Sequence, residues 1–207
     1  GLIHKVKIAM AQINPTVGAL KGNSQKIEEI IQEYSPKCDL IIFPEMCLTG
    51  YPPQDLLLDS SFIEKAAEAL KNIAAKAQDT PVILGTIRQE ENKLFNTAAV
   101  LYKRQVTVYR DKTHLPTYDV FDEARYFSSA DTRIPVELKI HGKPVKLGIE
   151  ICEDLWDDEY DAKVSRELIH AGAEILINIS ASPFHINRLD KRLDIINVKS
   201  KDLKCYI

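Results

Sequence analysis

The chain has no apolar run near the ~20 residues that a membrane-crossing helix requires, and its opening stretch His4-Lys-Val-Lys-Ile-Ala-Met-Ala-Gln-Ile13 reads as a strand, not a signal peptide. A soluble, cytoplasmic protein with no membrane partner is therefore expected. Its four cysteines, Cys38, Cys47, Cys152 and Cys205, form no Cys-x-x-Cys pair, which argues against a zinc knuckle and a disulfide scaffold. His-Glu-x-x-His, Gly-x-Gly-x-x-Gly and Walker-type stretches are missing too, leaving metal, dinucleotide and P-loop chemistry without support, and no metal site is expected. Cationic excess is lacking as well: the formal net charge is −3, and nucleic acid as a partner would call for clustered Lys and Arg. Small neutral or zwitterionic ligands stay open. With 207 residues, 45% hydrophobic and 28% charged, and with no repeat or linker, the sequence reads as one globular domain over 1–207.

Apolar runs of strand length alternate with longer amphipathic segments, the pattern of an α/β domain. Strands are predicted over about 4–13, 39–45, 81–89, 94–103, 105–109, 134–140, 145–151 and 174–180, and helices over about 23–34, 60–77, 158–171 and 187–199. In the second helix Phe62, Ile63, Ala66, Ala69, Leu70 and Ile73 share a face, with Ser60 or Ser61 placed to cap its start. The two runs flanking Lys103-Arg-Gln105 suggest a hairpin, hence a mixed sheet. The stretch from Arg110 to Arg133 has no clear period and is too long for a passive connection, so it is a candidate pocket wall.

Three strand-like runs end in chemically complementary groups. Leu40-Ile-Ile-Phe-Pro-Glu45 ends in a carboxylate, Val106-Thr-Val-Tyr-Arg-Asp-Lys112 in an amine, and Val145-Lys-Leu-Gly-Ile-Glu-Ile-Cys152 in a thiol followed by Glu153-Asp-Leu-Trp156. Each has a plainer reading: Cys152 as a buried structural cysteine, Glu45 as a satisfied carboxylate, Lys112 as a solvated loop charge. Taken together they suggest a cysteine nucleophile served by a base and a cation, because a thiol attacks only as thiolate and a neighbouring base or cation favours that form.

The order Glu45, Lys112, Cys152 with these flanks resembles the nitrilase, or carbon-nitrogen hydrolase, superfamily. Phe43-Pro-Glu-Met-Cys-Leu-Thr-Gly-Tyr-Pro-Pro-Gln-Asp-Leu56 together with Ile151-Cys-Glu-Asp-Leu-Trp156 is similar to the glutaminase domain of glutamine-dependent NAD synthetases. That resemblance implies a four-layer α-β-β-α sandwich of two mixed sheets, C-terminally incomplete at Ile207, which assembles with another copy of itself. It implies a glutamine amidohydrolase in which Cys152 forms a thioester, Glu45 acts as general base, and Lys112 with a backbone amide near Glu153 stabilises the oxyanion. By the same resemblance Glu123 orients the catalytic groups and Tyr51 and Tyr118 line the pocket, or simply pack. Ser182 and Arg188 would hold the amino-acid end of glutamine, a role suited to the guanidinium's paired donors. No cofactor is implied for this domain; ATP and magnesium belong to a synthetase domain C-terminal to it, which would use the ammonia to convert deamido-NAD to NAD. His114 has no catalytic counterpart in that family. Two rival readings keep the fold: a stand-alone amidase or nitrilase acting on another small amide, and a non-catalytic subunit.

Overall fold

Apolar residues fall on both sides of the central strands with a period of two, so those strands must be covered on both faces. In a computed structural model, which describes residues 4–113, 115, 123–130, 132–151, 158–179 and 185–200, this is how they are used. Strands β1 (His4–Met10), β2 (Leu40–Ile42), β3 (Val82–Glu90), β4 (Lys93–Tyr102) and β5 (Gln105–Asp111) form one sheet with β10 (Leu193–Lys199), in the order β10-β1-β2-β3-β4-β5. Strands β6 (Val136–Ile140), β7 (Lys143–Glu150), β8 (Ile175–Asn178) and β9 (His185–Arg188) form the second, in that order. Each sheet mixes parallel and antiparallel neighbours.

Val6, Ile8, Leu40, Ile42, Ile83, Ala98 and Val100 of the first sheet pack against Val136, Leu138, Ile140, Val145, Leu147, Ile149, Ile175 and Ile177 of the second. The alternate residues of the first sheet, Ala9, Ile41, Val82, Leu84, Ala99 and Leu101, meet Ile27, Ile30 and Ile31 of α1 (Leu20–Tyr34) and Leu70 and Ile73 of α2 (Ser60–Ala74). On the far side Val164 and Leu168 of α4 (Asp158–His170), the helix that follows the short α3 (Glu123–Tyr126), pack on Leu176. The layers are thus α, β, β, α, the sandwich that the resemblance implies. The expected hairpin is present: Tyr102 pairs with Gln105 across Lys103 and Arg104, both at positive φ (49° and 68°), the two-residue turn whose twist matches antiparallel strands.

Three expectations need correction. The segment 187–199 is not a helix: β9 leads through a turn, in which Leu193 N–H donates to Asp190 O at 3.1 Å, into β10. Leu189, Leu193 and Ile196 stand at helix-compatible spacings, but β10 lies parallel to β1 from His4↔Leu193 to Met10↔Lys199. That pairing satisfies a row of backbone groups that β1 would otherwise leave open at the sheet edge. It also turns Leu193 and Ile195 toward the inter-sheet core and Val198 toward the helices, a period of two that overrides helical spacing. The cap of α2 is Asp59, whose carboxylate accepts Ser61 N–H at 2.9 Å; an Asp one position ahead of the serines does the same work. Finally, β2 stops at Ile42, short of Glu45, because Pro44 has no N–H to give a ladder.

Candidate active site

Glu45 leaves the sheet just beyond β2. Phe43 N–H still donates to Ile83 O at 2.8 Å, and the chain then turns through Met46, at φ 49°, with Gly50 N–H closing onto Met46 O at 2.9 Å. The turn lies directly on β3. A Cβ at Gly85 would stand 2.0 Å from Pro44 O, 2.7 Å from Glu45 Cα and 2.8 Å from Met46 N, so only glycine lets the Glu45 backbone sit there. From the other side Asn23 of α1 holds the same turn, its amide donating to Leu48 O at 2.9 Å and to Thr16 O at 2.8 Å.

Lys112 follows β5 directly. Its N–H donates to Asn96 O at 2.8 Å and its carbonyl accepts Ala130 N–H at 3.0 Å, which fixes where the side chain begins. Its ammonium donates to Glu45 Oε2 and to Glu123 Oε1, each at 2.9 Å, and all three side chains are fully buried. Glu123 opens α3, and Phe127 N–H returns to its carbonyl at 2.9 Å. Asn96 completes the cluster from β4. Its side-chain amide donates to Glu45 Oε2 at 2.9 Å and to Glu123 Oε2 at 3.4 Å.

Two carboxylates, one ammonium and one amide thus share a site buried from bulk solvent. Burial by itself disfavours the Lys112 charge, but Glu45 and Glu123 outweigh it and hold the ammonium above the usual lysine range. Burial pushes the Glu123 carboxyl up to about 7, against the lowering pull of Lys112 and with a further rise from the Glu45 charge. The consequence is one permanent cation facing one carboxylate plus a second carboxyl that takes up or releases a proton near neutrality. Glu45 is asymmetric: Oε2 receives both Lys112 and Asn96, while Oε1 is buried with no hydrogen-bond partner.

The sequence named Glu45, Lys112 and Glu123, and the structure brings all three into contact. Tyr51 is half-buried and packs beside Met46, Leu57 and Phe127 just beyond the Glu45 turn. Arg188 is not brought to the cluster. It is exposed, pairs with Ile175 at the start of β8, and donates to Leu193 O at 3.0 Å. Cys152, Glu153, Tyr118 and Ser182 lie outside the described residues. Cys38 and Cys47 are buried free thiols whose pKa burial raises, Cys47 well above the ordinary value, so neither is disposed to form a thiolate. Among the described residues no three His, Cys, Asp or Glu side chains are grouped to hold a metal ion, and no helix is long and apolar enough to cross a membrane. Sequence reasoning missed Asn96 and Gly85. Asn96 left a signal: a polar residue in a strand apolar on both faces must find a buried partner.

The family model for carbon-nitrogen hydrolases matches residues 7–206. This chain belongs to that family. Among related carbon-nitrogen hydrolases, the glutamine-dependent NAD(+) synthetase of Synechocystis is 40% identical over 210 residues, covering 94% of this chain and 37% of the relative. That of Aquifex aeolicus is 36% identical over 203 residues, covering 98% and 35%. The chain therefore spans about a third of the length of these relatives. The solved structure of a glutamine-dependent NAD+ synthetase from Acinetobacter baumannii, in complex with ADP, superposes with a TM-score of 0.73 at 30% identity, covering 86% of this chain and 32% of that one. An amidase from Nesterenkonia shares the fold, with a TM-score of 0.69 at 17% identity over 97% of this chain and 78% of its own.

Proposed function

We propose that this chain is a glutamine amidohydrolase that releases ammonia through a cysteine thioester, the glutaminase portion of a glutamine-dependent NAD synthetase. The observation that carries the reading is the asymmetry of Glu45, a buried carboxylate with one oxygen anchored by an ammonium and an amide and the other left to accept a proton. Family membership and the names of the relatives supply the bond to be broken and the substrate.

In this reading the Cys152 thiol gives its proton to Glu45 as the sulfur attacks the side-chain amide carbon of glutamine. Lys112 remains an ammonium throughout and offers positive charge to the carbonyl oxygen as it becomes an oxyanion, with the Glu153 amide as a second donor. Collapse breaks the carbon-nitrogen bond, and the proton held by Glu45 leaves on the nitrogen as ammonia. Glu45 then takes a proton from water, whose oxygen attacks the thioester, and returns it to the departing sulfur; glutamate is released. Glu123 and Asn96 touch no reacting atom in this scheme and act on the geometry of Glu45 and Lys112. Tyr51 and Tyr118 are proposed to line the substrate pocket. Ser182 and Arg188 are proposed to hold the α-carboxylate and amine, a role that requires Arg188 to exchange its bond to Leu193 O for the substrate. The ammonia would feed an ATP- and magnesium-dependent synthetase portion that acts on deamido-NAD.

The test is covalent labelling of the full-length protein by a glutamine-shaped diazoketone, with peptide mapping, a Cys152→Ala control and a simple haloamide electrophile run in parallel. Selective modification of Cys152 by the glutamine analogue is the expected result. Equal or better labelling by the haloamide would favour an amidase for another small amide, and no labelling by either would point to a non-catalytic chain.

A further inference from the structure

Asn96 touches each of the three charged side chains of the cluster or its backbone. Its amide nitrogen donates to both carboxylates, and its carbonyl accepts the Lys112 N–H. It is 1% exposed in the middle of a strand, so its amide projects from a fixed backbone in a fixed direction. The orientation of that amide follows from its surroundings: ionised carboxylates only accept, so the NH2 end must face them. Its own Oδ1 is then left buried without a partner, an arrangement that costs about 1–3 kcal/mol and that a residue selected for packing alone would avoid.

Lys112 selects between the two Glu45 oxygens less sharply than a fixed amide does. An ammonium on a four-carbon stem has three equivalent donors and can swing between the two oxygens of a carboxylate. The Asn96 amide cannot, and it selects Oε2. With Lys112 it is one of two donors shared by these buried carboxylates, and each shared donor lowers the repulsion that the pair would otherwise settle by sharing a proton directly. We propose that Asn96 is the positioning residue that determines which oxygen of Glu45 receives the thiol proton and keeps that proton from being shared with Glu123. The inference rests on the amidohydrolase reading above and assigns the role by which one of two adjacent carboxylates becomes the base.

The experiment compares full-length wild type with Asn96→Asp, which keeps the size and removes the donor, and Asn96→Ala, which removes the whole amide. Two readouts are taken: the pH profile of glutamine hydrolysis, and the titration of side-chain carboxyls by 13C NMR, with Glu123→Gln for assignment. Expected for Asn96→Ala are a fall in kcat of about 100-fold with KM within about threefold of wild type, and an acid limb moved up by about one pH unit, the worth of one hydrogen bond to a carboxylate. Asn96→Asp, which adds a like charge, moves the limb further in the same direction. A purely structural role would lower the folded fraction and leave the limb where it is; that result in either folded variant, or a change in KM alone, overturns the proposal. If wild type neither hydrolyses glutamine nor is labelled at Cys152, the amidohydrolase reading fails by itself. The carboxyl titration needs no substrate, and an unmoved Glu123 midpoint in both variants still overturns the role given to Asn96.

Discussion

The space between the two sheets and the polar cluster where β2 and β5 end beside β4 are equally dry and differently held. Between the sheets the buried side chains are aliphatic, and each contributes on its own about 1.5–3 kcal/mol through the area it removes from water. In the polar cluster Glu45, Asn96, Lys112 and Glu123 are each 1% exposed or less, and the charged ones are not tolerable without the others. One region is a sum of parts, the other a set of mutual compensations. The sum can lose a member and remain a core. The set, deprived of one, leaves charges in a medium that does not solvate them.

Replacing Lys112 by Met breaks the comparison most severely. It leaves two carboxylates buried with no cation, and the expected cost is about 3–5 kcal/mol of stability together with complete loss of the proposed ammonia release. Urea denaturation should show the deficit growing from pH 5 to pH 8, as carboxylates that can no longer be balanced become charged. Ile83→Ala, in the aliphatic region, should cost about 2–5 kcal/mol by leaving a cavity, with a deficit independent of pH and with the activity of the folded fraction within a few-fold of wild type. If the two variants showed the same pH dependence, the distinction between the regions would fail.

Gly85→Ala joins the regions, since it is an apolar substitution whose added methyl would collide with the backbone of Glu45. Overpacking of this kind costs about 1–3 kcal/mol. The sharper expectation is kinetic: kcat should fall by about 100-fold, because moving Glu45, the proposed base, by a fraction of its contact distance is enough. A stable variant of normal kcat would show that the Glu45 turn can lift off β3 without consequence.

Glu123→Gln tests the titrating member. Its carboxyl is raised in the folded chain to about 7 from 4.5, so its contribution to stability is complete below about 4.5 and is lost as the pH rises through about 7. Between pH 4.5 and pH 8 wild type should therefore lose stability relative to Glu123→Gln, by about 1 kcal/mol or more. Parallel stability curves would mean that Glu123 is ionised throughout.

How much of this was legible before folding depended on whether a residue's meaning is local. Strands β1 to β8 and the helices α1, α2 and α4 follow from periodicity, and the Lys103-Arg104 hairpin from spacing, because a turn imposes its geometry on its immediate neighbours. Glu45 and Lys112 could be singled out since each ends an apolar run, but that Asn96 ties them together depends on β4 lying between their strands, a relation across 51 residues. Gly85 was silent for the same reason: its lack of a side chain matters only because Pro44 and Glu45 cross it. The misread segment 187–199 was decided by β1, a strand nearly the whole chain away whose open edge it covers.

The smallest effect is expected from a charge pair one residue from the most consequential lysine. The Arg88 guanidinium grips Asp111 through two bonds, Nε to Oδ1 at 2.8 Å and Nη2 to Oδ2 at 2.5 Å, reaches Glu90 at 2.7 Å, and lies over the rings of Phe95 and Tyr109. Asp111 directly precedes Lys112, so the pair looks placed to aim it. Yet both side chains border solvent, at 19% and 12% exposure, and Lys112 has its own backbone anchors in Asn96 O and Ala130 N–H. Arg88→Met should then cost about 1 kcal/mol, in the range of partly exposed pairs, with part of the lost packing restored by the methionine. Its kcat should stay within about threefold of wild type. A kcat loss approaching that of Gly85→Ala would show instead that the direction of Lys112 is set from the sheet surface, and the boundary of the compensated set would have to be drawn outward to include Arg88 and Asp111.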